Sequence, residues 1–252
     1  MEAGMSEQAI PDKLRSLHHQ EEFLRDRALE IVAADARLAL HVRVVENAMD
    51  LADLLHQVPT EDEDMKVIQV LGMRTFNAFG ASLKLALSGY GQNSALIMRD
   101  ILETVFLLSL FRGDRTRIER WRCADDKTRR REFSPAAVRK ALDERDGFEG
   151  RKREELYRMF SELAAHPTMK SAYMMRPRKN GDAVIGPFME ATSLQAVLSE
   201  MGRLAVQVGE GLDVFFPETW ADVLPAREDC ARGRLEWFAA FYPSKFGAGA
   251  TP

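Results

Sequence analysis

The chain has 252 residues, of which 46% are hydrophobic and 29% are charged, and its formal net charge is −4. It is long enough for one substantial core, and its charge excludes a general attraction to nucleic acid or to anionic membranes. Two cysteines, Cys123 and Cys230, have no metal-like spacing, and residues 1–13 lack the basic and apolar regions of a signal peptide. Reduced thiols and a cytoplasmic location are therefore expected.

The first third of the chain predicts two long helices. One covers about 12–57, with a break allowed, and carries an apolar heptad over 24–52. The other spans about 61–88 and begins at a capping box formed by Thr60 and Glu63. A heptad seam packs against other helices, either inside the chain or across a homodimer, and the sequence leaves both open.

A third predicted helix, over 95–111, is apolar on nearly all sides but carries three charged residues. An all-round apolar helix belongs in a protein interior, and its charges must find partners there. Arg99 and Glu103 lie four residues apart and can pair, whereas Asp100 is expected to pair with Arg74. The Arg–Glu pair predicts either a structural contact that sets helix register or the floor of a site for a small polar or anionic ligand. Charges at its centre argue against a membrane span.

Residues 112–153 form a basic region, with 15 Lys and Arg against 9 Asp and Glu. A Ser-Pro pair at 134–135 predicts the start of a helix that ends at Gly147, and another helix spans about 151–165. The local charge excess predicts either a solvated, salt-bridged helical face or a phosphate or RNA footprint.

Residues 171–188 predict a β-hairpin, because Asn180-Gly181 is a strong two-residue turn signal. Two strands alone are marginally stable, so the hairpin is expected to lean on helices. Two more helices follow, one with a heptad over 194–215 and a last one over about 226–241.

Helix-period patterns account for most of the chain, and no alternating βαβ pattern appears. The predicted fold is all-α: a multi-helix bundle with long antiparallel helices and one small β-hairpin near 171–188. We expect a single helical domain over 12–242, with flexible termini at 1–11 and 244–252.

The helix over 151–165 supplies further candidate site residues. Tyr157 and Ser161 share one face, and His166 sits at its C-terminal end before Pro167. His166 could act as a general acid or base, or could cap the last carbonyls of the helix. The predicted ligand-binding residues are Arg99, Glu103, Tyr157, Ser161 and His166.

No metal or cofactor is expected. The pairs Asp53/His56 and Glu162/His166 each share a helical face, but a ferritin-like di-metal centre needs Glu-x-x-His motifs, and the sequence has none. The phosphate-binding loop, the G-x-S-x-G elbow, the H-E-x-x-H motif and the kinase signatures are all missing from the sequence.

Two short motifs carry a family resemblance. The segments NSALIMRDILETVFLL and YRMFSELAAHPT, with the expected hairpin after them, resemble an uncharacterised bacterial all-helical family that is classed as a domain of unknown function. The resemblance covers about Leu51 to Phe216. It implies a helical bundle and supplies no activity.

The chain is also distantly similar to HEPN domains, which are helical bundles that often dimerise. Many of them cleave RNA through an Arg and a His separated by four to six residues. Here Arg158 precedes His166 with seven residues between them, and Met159 replaces the usual polar residue after the arginine. The candidate catalytic residues under this resemblance are Arg158 and His166.

Two functions follow from these observations. The first is a non-catalytic ligand-binding or protein-interaction module with a buried polar centre. The alternative is a HEPN-like, metal-independent endoribonuclease of the defence or toxin type, and only this alternative makes RNA a partner.

Overall fold

The computed structural model describes residues 11–177 and 181–243, and every regular element within them is a helix. The predicted flexible termini, apart from Pro11, lie outside these residues, as does Asn180. The α-helices are α1 (Asp12–Ala34), α2 (Ala36–Gln57), α3 (Glu63–Leu87), α4 (Gly91–Gly113), α5 (Thr116–Arg122), α6 (Asp126–Glu132), α7 (Pro135–Asp146), α8 (Lys152–Phe160), α9 (Ala191–Asp213) and α10 (Leu224–Phe241). A π-helix (Ser161–Ala165) continues α8, and 3-10 helices cover Met169–Met175 and Ala221–Val223.

Four long helices, α2, α3, α4 and α9, enclose the main core. α2 packs on α9, α3 and α10, while α4 packs on α3 and α9. The helices α7 and α8 and the π-helix cover the other side of α4. The prediction of an all-α bundle is thus confirmed, and α4 lies between the main core and a smaller outer layer.

Short polar side chains set several helix boundaries. Asp35 breaks the first predicted helix in two, because its carboxylate accepts the N–H groups of residues 37 and 38 and so caps α2. Ser134 caps α7 as predicted, and Gly147 ends it in the left-handed conformation, with φ at +66°. The predicted capping box is wrong: Asp62 caps α3, and Thr60 accepts the N–H of Asp62 instead.

The predicted β-hairpin is not present in the described residues. Met169–Met175 is a 3-10 helix, and residues 181–190 are irregular. One backbone hydrogen bond, from the N–H of Val184 to the carbonyl of Met175, joins the two sides. The later segment binds the α3–α4 turn instead, where Phe188 donates its N–H to the carbonyl of Gly89. Gly89 has φ at +90°, and a Cβ there would lie 2.8 Å from the Phe188 backbone, so this approach requires glycine.

The predicted heptad seams are buried inside the chain. On α1 and α2 the seam residues are buried or half-buried, and on α9 every seam residue is buried. Packing within one chain therefore uses the apolar surface that the sequence made available for a homodimer. A homodimer of this protein would need a different surface.

Candidate functional site

Arg99 and Glu103 lie on the outer side of α4, which is the side that faces α8. Their ion pair spans 3.5 Å, and their side chains remain 26% and 32% exposed. The expectation of a dry, fully buried pair is therefore wrong, because the short helices of the outer layer cover α4 only partly. Asp100 pairs with Arg74 of α3, as the sequence predicted. These four side chains form two neighbouring ion pairs at a half-exposed surface.

Tyr157 of α8 closes one side of this centre. Arg99 donates a hydrogen bond from Nη2 to the Tyr157 hydroxyl, and its guanidinium lies 4.8 Å from the centre of the ring. The hydroxyl proton of Tyr157 has no acceptor among the described residues. The structure thus brings together three of the predicted site residues, Arg99, Glu103 and Tyr157. The hydroxyl proton of Tyr157 remains available to a ligand.

A second arginine, Arg139 of α7, stacks on the same tyrosine. Its guanidinium lies 4.1 Å from the centre of the Tyr157 ring, which is a cation–π distance. Within the described part of the chain, Arg139 makes no ion pair, and its Nη1 is buried without a hydrogen-bond acceptor. Nε of Arg99 is buried and unpaired in the same way. We call Arg99, Tyr157 and Arg139 the arginine–tyrosine cluster.

The sequence analysis did not single out Arg139, because nothing local to α7 marks its side chain as unpaired. Asp143 lies four residues further along α7 and is the partner that helix geometry predicts. In the structure Asp143 pairs with Arg153 of α8 at 2.5 Å, and Arg153 also binds Asp146. The carboxylate of Asp143 is therefore occupied, and Arg139 is left with an aromatic face only.

Ser161 and His166 are not brought to this cluster. Ser161 is buried, and its hydroxyl donates to the backbone carbonyl of Tyr157 at 2.9 Å. His166 is exposed at the end of the π-helix, where its backbone N–H binds the carbonyl of Ser161. Two of the five predicted ligand-binding residues, Ser161 and His166, therefore lie at the helix end that follows Tyr157 and not at the cluster.

Arg158 is exposed on α8, and its side chain makes no hydrogen bond or ion pair with the described residues. Its charge acts on Glu162, where Lys170 chiefly and Arg158 to a lesser degree lower the pKa of the carboxyl. Glu162 binds Lys170 at 2.5 Å. Arg158 and His166 are therefore both exposed to solvent. Glu162, which lies between them in the sequence, is already paired with Lys170.

Beside the cluster, an apolar groove lies between α3, α4, α5 and α7. We call it the α3–α7 groove. It has about 910 Å³ of empty space, open solvent included. Its polar rim contains Arg74, Asp100 and Glu103, and the last two also line the shallow hollow in front of Arg99. The apolar wall includes Val70, Phe106, Leu107, Trp121, Phe133 and Val138.

About half of the cations in the basic region 112–153 are neutralised by ion pairs, and all of these but Arg122 and Arg151 pair with carboxylates of the same region. Eight of its 15 Lys and Arg residues form ion pairs with Asp or Glu. Arg120, for example, binds Glu132 with two guanidinium nitrogens. This favours the salt-bridged face over the RNA footprint as the account of the local charge.

Within residues 11–177 and 181–243, no cluster of three or more His, Cys, Asp or Glu side chains has the geometry to hold a metal ion. The described helices also include none with the length and apolarity that a membrane crossing needs. Comparison of this chain with family models, with curated proteins and with solved structures finds no match.

Proposed function

We propose that this protein is a non-catalytic helical binding protein whose site is the arginine–tyrosine cluster, and that its ligand carries an anionic group. One observation carries the proposal: Arg139 is a half-buried guanidinium with no carboxylate partner and with a buried N–H that binds nothing in the described structure. Burying such a donor costs about 1–3 kcal/mol, and an anion that accepts it removes that cost.

The charges around the cluster support an anion. Arg74 is paired with Asp100, and Arg99 is paired with Glu103. Arg139 makes no ion pair with the described residues and adds one positive charge to the cluster. Guanidinium groups are suited to this role because they stay charged and present several donors in a fixed plane.

The donors converge on one ring. Arg99 and Arg139 both contact Tyr157, whose hydroxyl proton is also available. Tyr157 is held by α8 just before the π-helix, and single-turn π segments occur often at functional sites. Three donor groups on three packed helices form a site that is preorganised for a small anion.

The test is titration of acetate and of inorganic phosphate by calorimetry, at constant ionic strength. Arg139→Met keeps the length of the side chain and removes the donors, so binding is expected to weaken about tenfold or more. Arg232→Met on α10 is the matched control, because Arg232 is exposed, lies away from the cluster and forms its one ion pair with Asp229. Equal binding by wild type and Arg139→Met, with both proteins folded by circular dichroism, would contradict the proposal.

The endoribonuclease alternative retains one favourable observation, which is that Arg158 and His166 are both exposed and Arg158 is unpaired. The ion pairing of the basic region weakens it, since those arginines are engaged with carboxylates instead of being free for phosphates. We therefore rank it second. A cytoplasmic location is part of the proposal and is consistent with the free thiols of Cys123 and Cys230.

A further inference from the structure

We infer that the ligand is an amphipathic monoanion: its charged group binds the arginine–tyrosine cluster, and its apolar body lies in the α3–α7 groove. A medium-chain or long-chain carboxylate has this chemistry. The inference rests on the proposed function, because it assumes that the anion binds at Arg99 and Arg139.

The α3–α7 groove is continuous with the hollow at Arg99. Asp100 and Glu103 line both the α3–α7 groove and the hollow that exposes Arg99. One ligand can therefore reach from Arg99, the cluster residue that lines the hollow, into the groove along a single turn of α4. Both carboxylates are paired with arginines, Asp100 with Arg74 and Glu103 with Arg99. Their negative charges are therefore balanced where an anionic ligand would pass.

The wall of the α3–α7 groove is mainly apolar. Its floor is formed by Phe106 and Leu107 of α4, and Trp121 and Phe133 stand on the side of α5 and α7. Val70 at the rim leaves 55% of its surface exposed. The groove's cavity volume of about 370 Å³ lies at the lower end of the 300–1,000 Å³ that is typical of small-molecule sites. An apolar chain fits such a wall better than a sugar or a base with many polar groups.

The positive charges around the cluster exceed the negative charges by one. Arg139 supplies one positive charge beyond the two ion pairs, so a monoanion leaves the centre neutral. A di- or triphosphate would bring charge that no further arginine at the cluster balances, and a cation would add to the existing excess. The structure therefore favours one carboxylate over a polyanionic nucleotide.

The experiment uses a series of straight-chain carboxylates, from acetate to dodecanoate, kept below micelle-forming concentrations and titrated by calorimetry into the full chain. Affinity is expected to rise about fourfold for each added methylene group that enters the groove. Dodecanol, which lacks the anion, is expected to bind at least tenfold more weakly than dodecanoate.

Trp121 supplies a second readout that does not depend on affinity alone. A bromine atom near an indole quenches its fluorescence, so 12-bromododecanoate is expected to quench the wild type and to lose most of this quenching in Trp121→Phe. Trp121 packs edge-on against Phe111 at 6.1 Å between ring centres, which holds it in the groove wall. Trp220 and Trp237, which are not part of this wall, report any quenching elsewhere.

The outcomes separate the inference from the proposed function. If acetate and dodecanoate bind equally well, and both lose affinity in Arg139→Met, the anion site stands and the groove inference is overturned. Dodecanoate binding without quenching of Trp121 also overturns the inference. If dodecanoate binds Arg139→Met as tightly as the wild type, the proposed function fails together with the inference that rests on it.

Discussion

Trp237 donates its indole N–H to Nδ1 of His41 at 2.8 Å, in the contact between α10 and α2. His41 is only 2% exposed, and Phe241 stacks on its ring at 4.2 Å. Because Nδ1 accepts, the neutral ring carries its proton on Nε2. Burial chiefly, with help from the charges of Arg37 and Arg203, lowers the pKa of His41 to about 4.

This pKa predicts that the protein loses stability as the pH falls below about 6.5. The unfolded chain takes up a proton near pH 6.5, whereas native His41 resists until about pH 4. The stability that neutral His41 contributes to the folded protein is therefore fully present above pH 6.5 and is lost as the pH falls toward 4. Between pH 7.5 and pH 5 we expect a loss of about 2 kcal/mol in the free energy of unfolding, measured by urea denaturation.

The control for this prediction is His41→Gln, since a glutamine oxygen can accept the indole N–H but does not titrate. Other titrating groups, including Glu200, whose pKa is raised by burial, act equally in both proteins. The difference between the two pH profiles then isolates His41. Parallel profiles between pH 7.5 and pH 5 would show that its protonation is not linked to folding.

A second prediction concerns Gly202 of α9, which faces the same contact. A Cβ at this position would lie 2.8 Å from Nδ1 of His41 and 3.2 Å from Nε1 of Trp237. Gly202→Ala should therefore separate α2, α9 and α10 and cost about 1–3 kcal/mol of unfolding free energy. Gly80→Ala in α3 is the matched control, because its nearest neighbour is Met49 Cε at 3.8 Å.

Gly80→Ala should be neutral or stabilising by about 0.5–1 kcal/mol, since alanine favours a helix interior. Denaturant midpoints of the two variants and the wild type are sufficient to compare them. An equal change in both would mean that the approach of His41 and Trp237 to α9 does not limit the size of residue 202.

Sequence patterns predicted the long helices well because apolar periodicity reports directly on packing. The heptad of α9 is buried in full, and the pairing of Arg74 with Asp100 is confirmed. By contrast, nothing local in the sequence signals that His41 is buried or that Trp237, nearly 200 residues away, donates a hydrogen bond to it. Contacts between distant segments are what a single sequence conceals.

The errors have the same origin. The Asn-Gly turn signal is local, but the segment after it bonds to the α3–α4 turn through Gly89, a tertiary contact that overrides hairpin formation. Likewise, Asp143 is the local partner for Arg139, and Arg153 of the next helix takes it. The role of Arg139 could not be predicted because tertiary packing, and not helix spacing, determines which arginine pairs with Asp143.

A third prediction concerns Glu103. Its ion pair with Arg99 is partly exposed and 3.5 Å long, so Glu103→Gln should change the free energy of unfolding by less than about 1 kcal/mol. A fully buried pair would cost about 3–5 kcal/mol on losing one partner. Urea denaturation at pH 7.5 distinguishes these two values.

The same substitution should strengthen anion binding. Removing a negative charge beside Arg99 should raise the affinity for acetate by about three- to fivefold, because one unit charge at ~4 Å in water contributes about 1 kcal/mol. Glu236→Gln on α10 changes the net charge equally but pairs with Arg43, so it should leave the affinity unchanged. An equal gain in both variants would attribute the effect to net charge alone.

The last prediction separates binding from catalysis. Purified protein incubated with mixed RNA, with and without chelator and over pH 5.5–8.5, is expected to leave the RNA intact, because the proposed function assigns no reaction to Arg158 or His166. Cleavage that disappears in both His166→Ala and Arg158→Ala would support the endoribonuclease alternative over our proposal. Both side chains are exposed, so neither substitution should impair folding. Cleavage that persists unchanged in both variants, and that follows the protein through gel filtration, would contradict both the roles of Arg158 and His166 and the non-catalytic proposal.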